Sequence, residues 1–158
     1  MLVEYKSRVD KAIAILGRRS KRNPILLSDD FVRRQTFFDL VIERLAQGDL
    51  PTRLVEHQII DITEDQLLEK IADIEDFKNW IASIDPVDDH RRKIFFLHDI
   101  HRFLGIGVPS EILGQFHLRA RGYGNIAYVA SSTWENYREY IEPNVTVDRA
   151  VFSQIWFD

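Results

Sequence analysis

The chain contains no cysteine. Disulfide bridges, thiol nucleophiles and thiolate metal sites are therefore excluded. Nor is there an apolar run approaching the roughly 20 residues that span a bilayer. The first residues, MLVEYKSRVDKAI, carry Glu4 and Asp10 and no apolar block of the kind a secretory signal needs. A cytoplasmic location with no membrane partner is expected. Positive charge is not in excess: the net charge is -4 and the sequence pI ≈ 5.7, which gives no global attraction to nucleic acid or to an anionic surface. Repeats, low-complexity tracts and linkers are also missing. What remains is a chain of 158 residues, 45% hydrophobic and 29% charged, long enough for one domain with a sizeable core.

Along that chain, helical and extended patterns alternate. Val3 to Leu16 carries apolar residues at helical spacing, at Val9, Ile13, Ile15 and Leu16. A short buried strand is expected at Ile25–Leu27, then a helix from Phe31 to Gln47. His57 to Ile62 reads as a second strand. Thr63-Glu64-Asp65-Gln66 has the pattern of a capping box, opening a helix expected to run to Ile84. Lys93 to Leu97, KIFFL, reads as a third strand, apolar on both sides and so central. A helix is expected from Pro109 to Arg121, a turn at Gly122-Tyr123-Gly124-Asn125, and a fourth strand from Ile126 to Ala130. A helix from Thr133 to Ile141 and a fifth strand from Val151 to Phe157 complete the order. Strands alternating with helices imply a parallel sheet wrapped by helices, with right-handed crossovers.

The stretch from Arg18 to Pro51 is the most informative. It has the layout of a phosphate-binding loop, strand then loop then helix, yet its loop runs Ser28-Asp29-Asp30-Phe31-Val32-Arg33-Arg34-Gln35. A working loop needs glycines so that backbone N–H groups can curl around phosphate, a lysine for the outer phosphates and a hydroxyl for magnesium. Here glycine and lysine are both missing, and two aspartates stand at the mouth. Ser and Asp are both good helix N-caps, and a capping carboxylate accepts the same orphan N–H groups that a phosphate would take. The acidic pair is therefore expected to replace the anion internally, with Phe31 filling space the glycines would leave empty. Arg33 and Arg34 are expected to form a solvated face.

The frame around this loop resembles the first ATPase domain of the Clp-type AAA+ unfoldases, the ClpA, ClpB and ClpC group. Arg18-Arg19-Ser20-Lys21-Arg22-Asn23-Pro24 matches the start of the family's stretch and Gly48-Asp49-Leu50-Pro51 its end. The family's G-E-P-G-V-G-K-T falls on Ser28 to Gln35, with Arg34 at the lysine and Gln35 at the hydroxyl. Lys93-Ile94-Phe95-Phe96-Leu97-His98-Asp99-Ile100-His101 resembles the Walker B strand. The magnesium-side aspartate falls on His98, a poor ligand for an ion that takes hard oxygens. The water-polarising glutamate falls on Asp99, one methylene too short. Val129-Ala130-Ser131-Ser132-Thr133-Trp134-Glu135 and the residues to Glu142 resemble the sensor-1 strand and its following helix, with Ser132 and Thr133 on the two threonines. Val147-Asp148-Arg149-Ala150-Val151 resembles the arginine-finger segment, with Arg149 on the first arginine and Ala150 replacing the second. The family's aromatic pore loop falls on Ala72 to Phe77, where its tyrosine and glycine are missing.

The resemblance covers about Tyr5 to Phe157 and implies a single domain over 1–158. The implied fold is a P-loop NTPase (AAA+) three-layer α/β sandwich, with a five-stranded parallel sheet in the order 5-1-4-3-2. No helical lid of the AAA+ kind is expected. The initial Met and the missing lid are expected to mark a standalone truncated paralogue, although a domain of a longer unfoldase would read the same way. The expected function is that of a pseudo-ATPase with no catalytic residue, no bound cofactor and no metal. It would act by protein–protein contact as a scaffold or regulatory module, on an AAA+ chaperone or protease ring or on a second copy of itself. The alternative is a residual ATPase or nucleotide-gated switch, binding ATP and magnesium weakly through Arg33, Arg34 and Asp99. His98, Asp99 and His101 lack the ligand number of a zinc site. The basic run Arg18 to Arg22 matches the family's own and does not imply nucleic acid. Trp80, Trp134 and Trp156 are expected in packing or at an interface.

Overall fold

The computed structural model describes residues 3–104, 124–143 and 152–157. Helix α1 (Val3–Leu16) is followed by strand β1 (Asn23–Leu27), helix α2 (Phe31–Ala46) and a single 3-10 turn at Thr52–Leu54. Strand β2 (His57–Ile59), helices α3 (Glu64–Ile71) and α4 (Ile74–Ile84), strand β3 (Arg92–Leu97) and the short helix α5 (His101–Leu104) come next. Strand β4 (Ile126–Ser132) leads into one α-turn, α6 (Trp134–Asn136), which continues as a π-turn over Tyr137–Ile141 before strand β5 (Phe152–Trp156). The helix expected over Pro109 to Arg121 lies outside the described residues.

The five strands form one sheet in the order β2-β3-β4-β1-β5, and every pairing is parallel. This is the order 5-1-4-3-2 read from the other edge. β1 lies inside the sheet between β4 and β5, and all five of its residues are buried, as suits a strand covered on both faces. Alternation along the strands sorts the core into two layers. Ile25, Leu27, Phe95, Leu97, Tyr128 and Ala130 face α3, α4 and the π-turn. Leu26, Ile94, Ala127, Val129 and Ile155 face α1 and α2. α2 reaches this second layer with Phe37, Phe38, Val41 and Leu45, spaced to lie on one helix face.

Strands β1 and β4 run two residues longer than expected, from Asn23 and to Ser132, and three elements differ more. The helix expected to run unbroken from Thr63 to Ile84 is two helices. Thr63 and Gln66 do form the capping box, but Asp73 restarts the chain as a second N-cap, accepting from the N–H groups of Glu75 at 3.0 Å and Asp76 at 3.3 Å. A carboxylate that satisfies two orphan donors makes the restart favourable. β2 ends at Ile59 rather than Ile62, with Ile60 N–H adding one more bond to Ile94 O at 2.9 Å. The segment after β4 is only partly α-helical, because Glu142 N–H bonds to Tyr137 O, a wider i→i+5 closure found mostly as single turns.

β3 is less apolar than its central place suggests. Lys93 is fully buried and its Nζ meets Asp85 at 2.9 Å and Asp89 Oδ1 at 3.4 Å. Asp85 closes α4 as its C-cap and also accepts from Asn125 N–H at 3.1 Å. One buried carboxylate thus ties the end of α4 to the starts of β3 and β4.

Candidate functional site

In open α/β sheets ligands bind outside the carboxyl ends of the strands, so the candidate site lies where β1, β3 and β4 end. The first wall is the loop after β1. Ser28 N–H donates to Ser132 O at 3.1 Å, and Asp30 N–H donates to Ser28 Oγ at 3.2 Å. Asp30 is the N-cap of α2, and its Oδ1 accepts from Val32 N–H at 2.9 Å and Arg33 N–H at 3.3 Å. These are donors that a bound anion would otherwise take. Asp29 turns the other way and accepts from Trp134 N–H at 3.0 Å.

The residues after the cap separate. Phe31 and Val32 are exposed, at 59% and 67%. Arg34, expected on a solvated face, is only 7% exposed. Its guanidinium folds back into its own loop and donates to Ser28 O at 2.6 Å, with its Cζ 5.6 Å from the Phe31 ring centroid. The reason is helical spacing: Arg34 shares the inward face with Phe37, Phe38 and Val41, so its head reaches water less readily than the free backbone carbonyl beside it. Arg33 points elsewhere, lying 4.8 Å over the Phe157 ring and 3.8 Å from Asp30 Oδ2. Gln35 is exposed and its amide donates to Asp39 Oδ1 at 3.2 Å.

The second wall is the end of β3. The His98 ring stacks on Phe38 at 4.0 Å between centroids and 19° between planes. Its Nδ1 lies 3.3 Å from Ser131 Oγ, which itself donates to His98 O at 3.0 Å. Burial pushes the imidazole below the ordinary histidine range, against the opposing charge of Asp99. His101 stacks on Tyr140 at 5.2 Å, and burial lowers it too. The two histidines are thus held by different aromatic partners. Among the described residues no group of three or more histidine, aspartate or glutamate side chains is arranged to hold a metal ion.

Glu64 joins this wall from the first turn of α3. Its Oε1 accepts from His98 N–H and from Asp99 N–H, the latter at 3.1 Å, and its Oε2 lies 3.4 Å from Arg102. Burial raises its pKa, the two backbone donors and Arg102 oppose that, and the charge of Asp99 adds to it. The capping box marked where α3 begins, but nothing in the spacing places that beginning against the end of β3.

The third wall is the end of β4. Ser132 Oγ donates to Thr133 O at 2.8 Å, and Thr133 caps α6 by accepting from Asn136 N–H at 3.2 Å. Trp134 and Trp156 approach at 6.0 Å between centroids, and Trp80 packs against the core under Lys70, 5.1 Å away. Arg149 lies outside the described residues.

No protein-family model matches the chain. Sequence comparison finds relatives at 24–26% identity. The chaperone protein ClpB of Aquifex aeolicus is 26% identical over 160 residues, which is 99% of this chain and 16% of that protein. The chloroplastic chaperone protein ClpB3 of Arabidopsis thaliana is 25% identical over 154 residues, covering 95% of this chain and 16% of its own length. Rice chloroplastic ClpC3 is 24% identical over 151 residues. The relatives are Clp-type AAA+ ATPases. The chain spans about one sixth of the length of these curated relatives, 16% in each case. The solved structures agree on the fold. Hsp104 of S. cerevisiae in a casein complex superposes with a TM-score of 0.76 at 20% identity, over 97% of this chain and 26% of that one. The Hsp104–ADP complex gives 0.73 at 19% identity, over 99% of this chain and 27% of that one. The domain is a Clp-like α/β unit of the P-loop type. No helix among the described residues is long and apolar enough to cross a membrane.

Proposed function

We propose that this Clp-like domain is a pseudo-ATPase that neither binds nor hydrolyses ATP and works by contact with other proteins. The observation that carries this reading is the state of the loop after β1. Asp30 already occupies the N–H groups of Val32 and Arg33, and the Arg34 guanidinium is bonded inward to Ser28 O at 2.6 Å. An incoming phosphate would have to displace a tethered carboxylate of its own sign, and no lysine is available to receive it. At the magnesium position stands His98, stacked on Phe38, and Glu64 holds the backbone at its strand end.

The partner proposed is an AAA+ ring subunit or a second copy of this chain. The segment from Ser132 to Glu142 and Arg149 match family positions near the subunit interface. Phe31, Val32 and Trp156, exposed at 59%, 67% and 61%, add apolar surface near the carboxyl ends of β1 and β5. Such residues are common anchors in protein contacts. The whole chaperone's substrates and unfolding activity are not carried over.

Isothermal titration with ATP and with ADP, each with millimolar magnesium, tests the reading. No heat and no shift in melting temperature are expected. Micromolar binding, about -8 kcal/mol, would overturn it in favour of a nucleotide-gated switch or a residual ATPase.

A further inference from the structure

The opposite edge of the sheet, where the strands begin, carries a concentration of positive charge that the candidate site does not use. Arg22, Arg92 and Lys93 are buried there, at 2%, 2% and 0% exposure. Lys93 is neutralised by Asp85 and Asp89. Arg22 directs its guanidinium to backbone carbonyls, Ile126 O at 2.9 Å, Gly124 O at 2.9 Å and Arg19 O at 3.0 Å. Arg92 is different. One of its terminal nitrogens reaches Arg18 O at 3.2 Å, while its Nε and the other terminal nitrogen are buried without any hydrogen-bond partner. Buried donors of this kind are rare in folded proteins, and a charged one is costlier still.

A third guanidinium stands close by. Arg53 is exposed on the 3-10 turn at Thr52–Leu54, just ahead of β2, whose His57 is the register partner of Arg92. Burial pushes both Arg92 and Arg22 down to about 10; the charge of Arg53 adds to this at both, and that of Asp85 opposes it. Three like charges converge, two of them out of water, and one has two unused donors.

We propose that Arg92 and Arg53, with Arg22 behind them, form a binding site for a phosphoryl oxyanion, either free phosphate or the end of a small phosphomonoester. A phosphoryl group brings up to two negative charges and three or more acceptor oxygens, enough to pair an unused Arg92 donor and engage Arg53 at once. A carboxylate supplies one charge for three cations. The site lies at the edge of the sheet away from the loop after β1, so it stands whether or not that loop admits nucleotide.

Thermal melts of the full chain test this in chloride buffer, with inorganic phosphate, with glycerol phosphate, and with sodium chloride at matched ionic strength. At about 10 mM ligand a rise of about 5 °C is expected, and none with chloride. A rise with inorganic phosphate assigns the free ion, and a rise with glycerol phosphate alone assigns the monoester. Arg53→Gln, at an exposed position, should weaken the apparent affinity about tenfold. Arg92→Met should abolish the response without lowering the ligand-free melting temperature, because it removes two unpaired groups. No rise beyond that of chloride would overturn the proposal, as would a rise that survives undiminished in Arg53→Gln. Arg53→Gln alone decides if Arg92→Met does not fold.

Discussion

Asp29 Oδ1 accepts the backbone N–H of Trp134 at 3.0 Å, while its neighbour Asp30 accepts the first amides of α2. Two adjacent carboxylates thus take up first-turn amides of two different helices. Asp30→Ala should destabilise the domain by about 1 kcal/mol, the ordinary cost of losing a cap. Asp30→Asn should recover most of it, since the amide oxygen still accepts. Urea denaturation read as the midpoint at constant slope checks this, and an unchanged midpoint in Asp30→Ala would count against the capping role.

Restoring a lysine should not restore nucleotide binding. In Arg34→Lys the inward hydrogen bond to Ser28 O is lost or weakened, but the Asp30 cap and the Phe31 side chain remain. Titration with ATP and magnesium should give no measurable heat. A gain of affinity in that single variant would show that the aspartates and Phe31 leave the loop open.

Stability should fall in mild acid because of His98. Burial depresses its folded pKa below the ordinary 6.5. Above 6.5 the folded and unfolded forms are both neutral and the contribution is fully present. As pH drops below that value the unfolded chain takes up a proton that the folded ring resists, so stability declines until the depressed folded value is passed. His101 acts in the same direction. Glu64 acts oppositely: its raised folded pKa gives stability below the ordinary 4.5 that is lost as pH rises through the raised value. Melting temperature against pH from 7.5 to 5, about one unit either side of the histidine range, should fall in the parent chain and fall less in His98→Gln. An equal fall in both would remove His98 from this account.

The buried pair Lys93 and Asp85 should be intolerant of single changes. Lys93→Met leaves Asp85 without its cation in the interior and should cost about 3–5 kcal/mol. The double variant Lys93→Met with Asp85→Asn should recover at least half of that loss, about 2 kcal/mol or more. Chemical denaturation of Lys93→Met, Asp85→Asn and the double variant gives the coupling directly, and additive losses would contradict it.

Gly17 is required by space. A Cβ there would stand 2.7 Å from Pro51 Cβ, closer than side chains approach. Gly17→Ala should therefore cost about 1–3 kcal/mol through overpacking, whereas Gly48, with nothing within 4 Å of such a Cβ, should accept alanine at little cost. Similar losses at both positions would refute the packing explanation.

The fold was legible because its signals are local or repeat along the chain. Val9, Ile13 and Leu16 mark one face of α1, and the apolar strands alternate with them in order. Strand order came only through the resemblance, since periodicity does not say which strand lies beside which. The break at Asp73 was hidden because Ile71, Ile74, Phe77 and Ile81 keep helical spacing across it. The burial of Arg34 was hidden because charge suggests solvent, while its position on the helix sets it beside Phe37 and Phe38. Glu64 was not anticipated at the end of β3, for its contacts with His98 and Asp99 span residues 34 and 35 apart in sequence. Arg92 and Lys93 were hidden for a similar reason: a strand-start cation reads as exposed until its surroundings are known.

A phosphate at a helix N-terminus comes and goes with the concentration of its carrier. The carboxylate of Asp30 is bound to the helix it caps by the chain itself, so its local concentration does not vary. On the proposed reading, the opening of α2 keeps its order through changes in energy charge, magnesium supply or hydrolysis elsewhere. A component built this way contributes a fixed shape to whatever it joins.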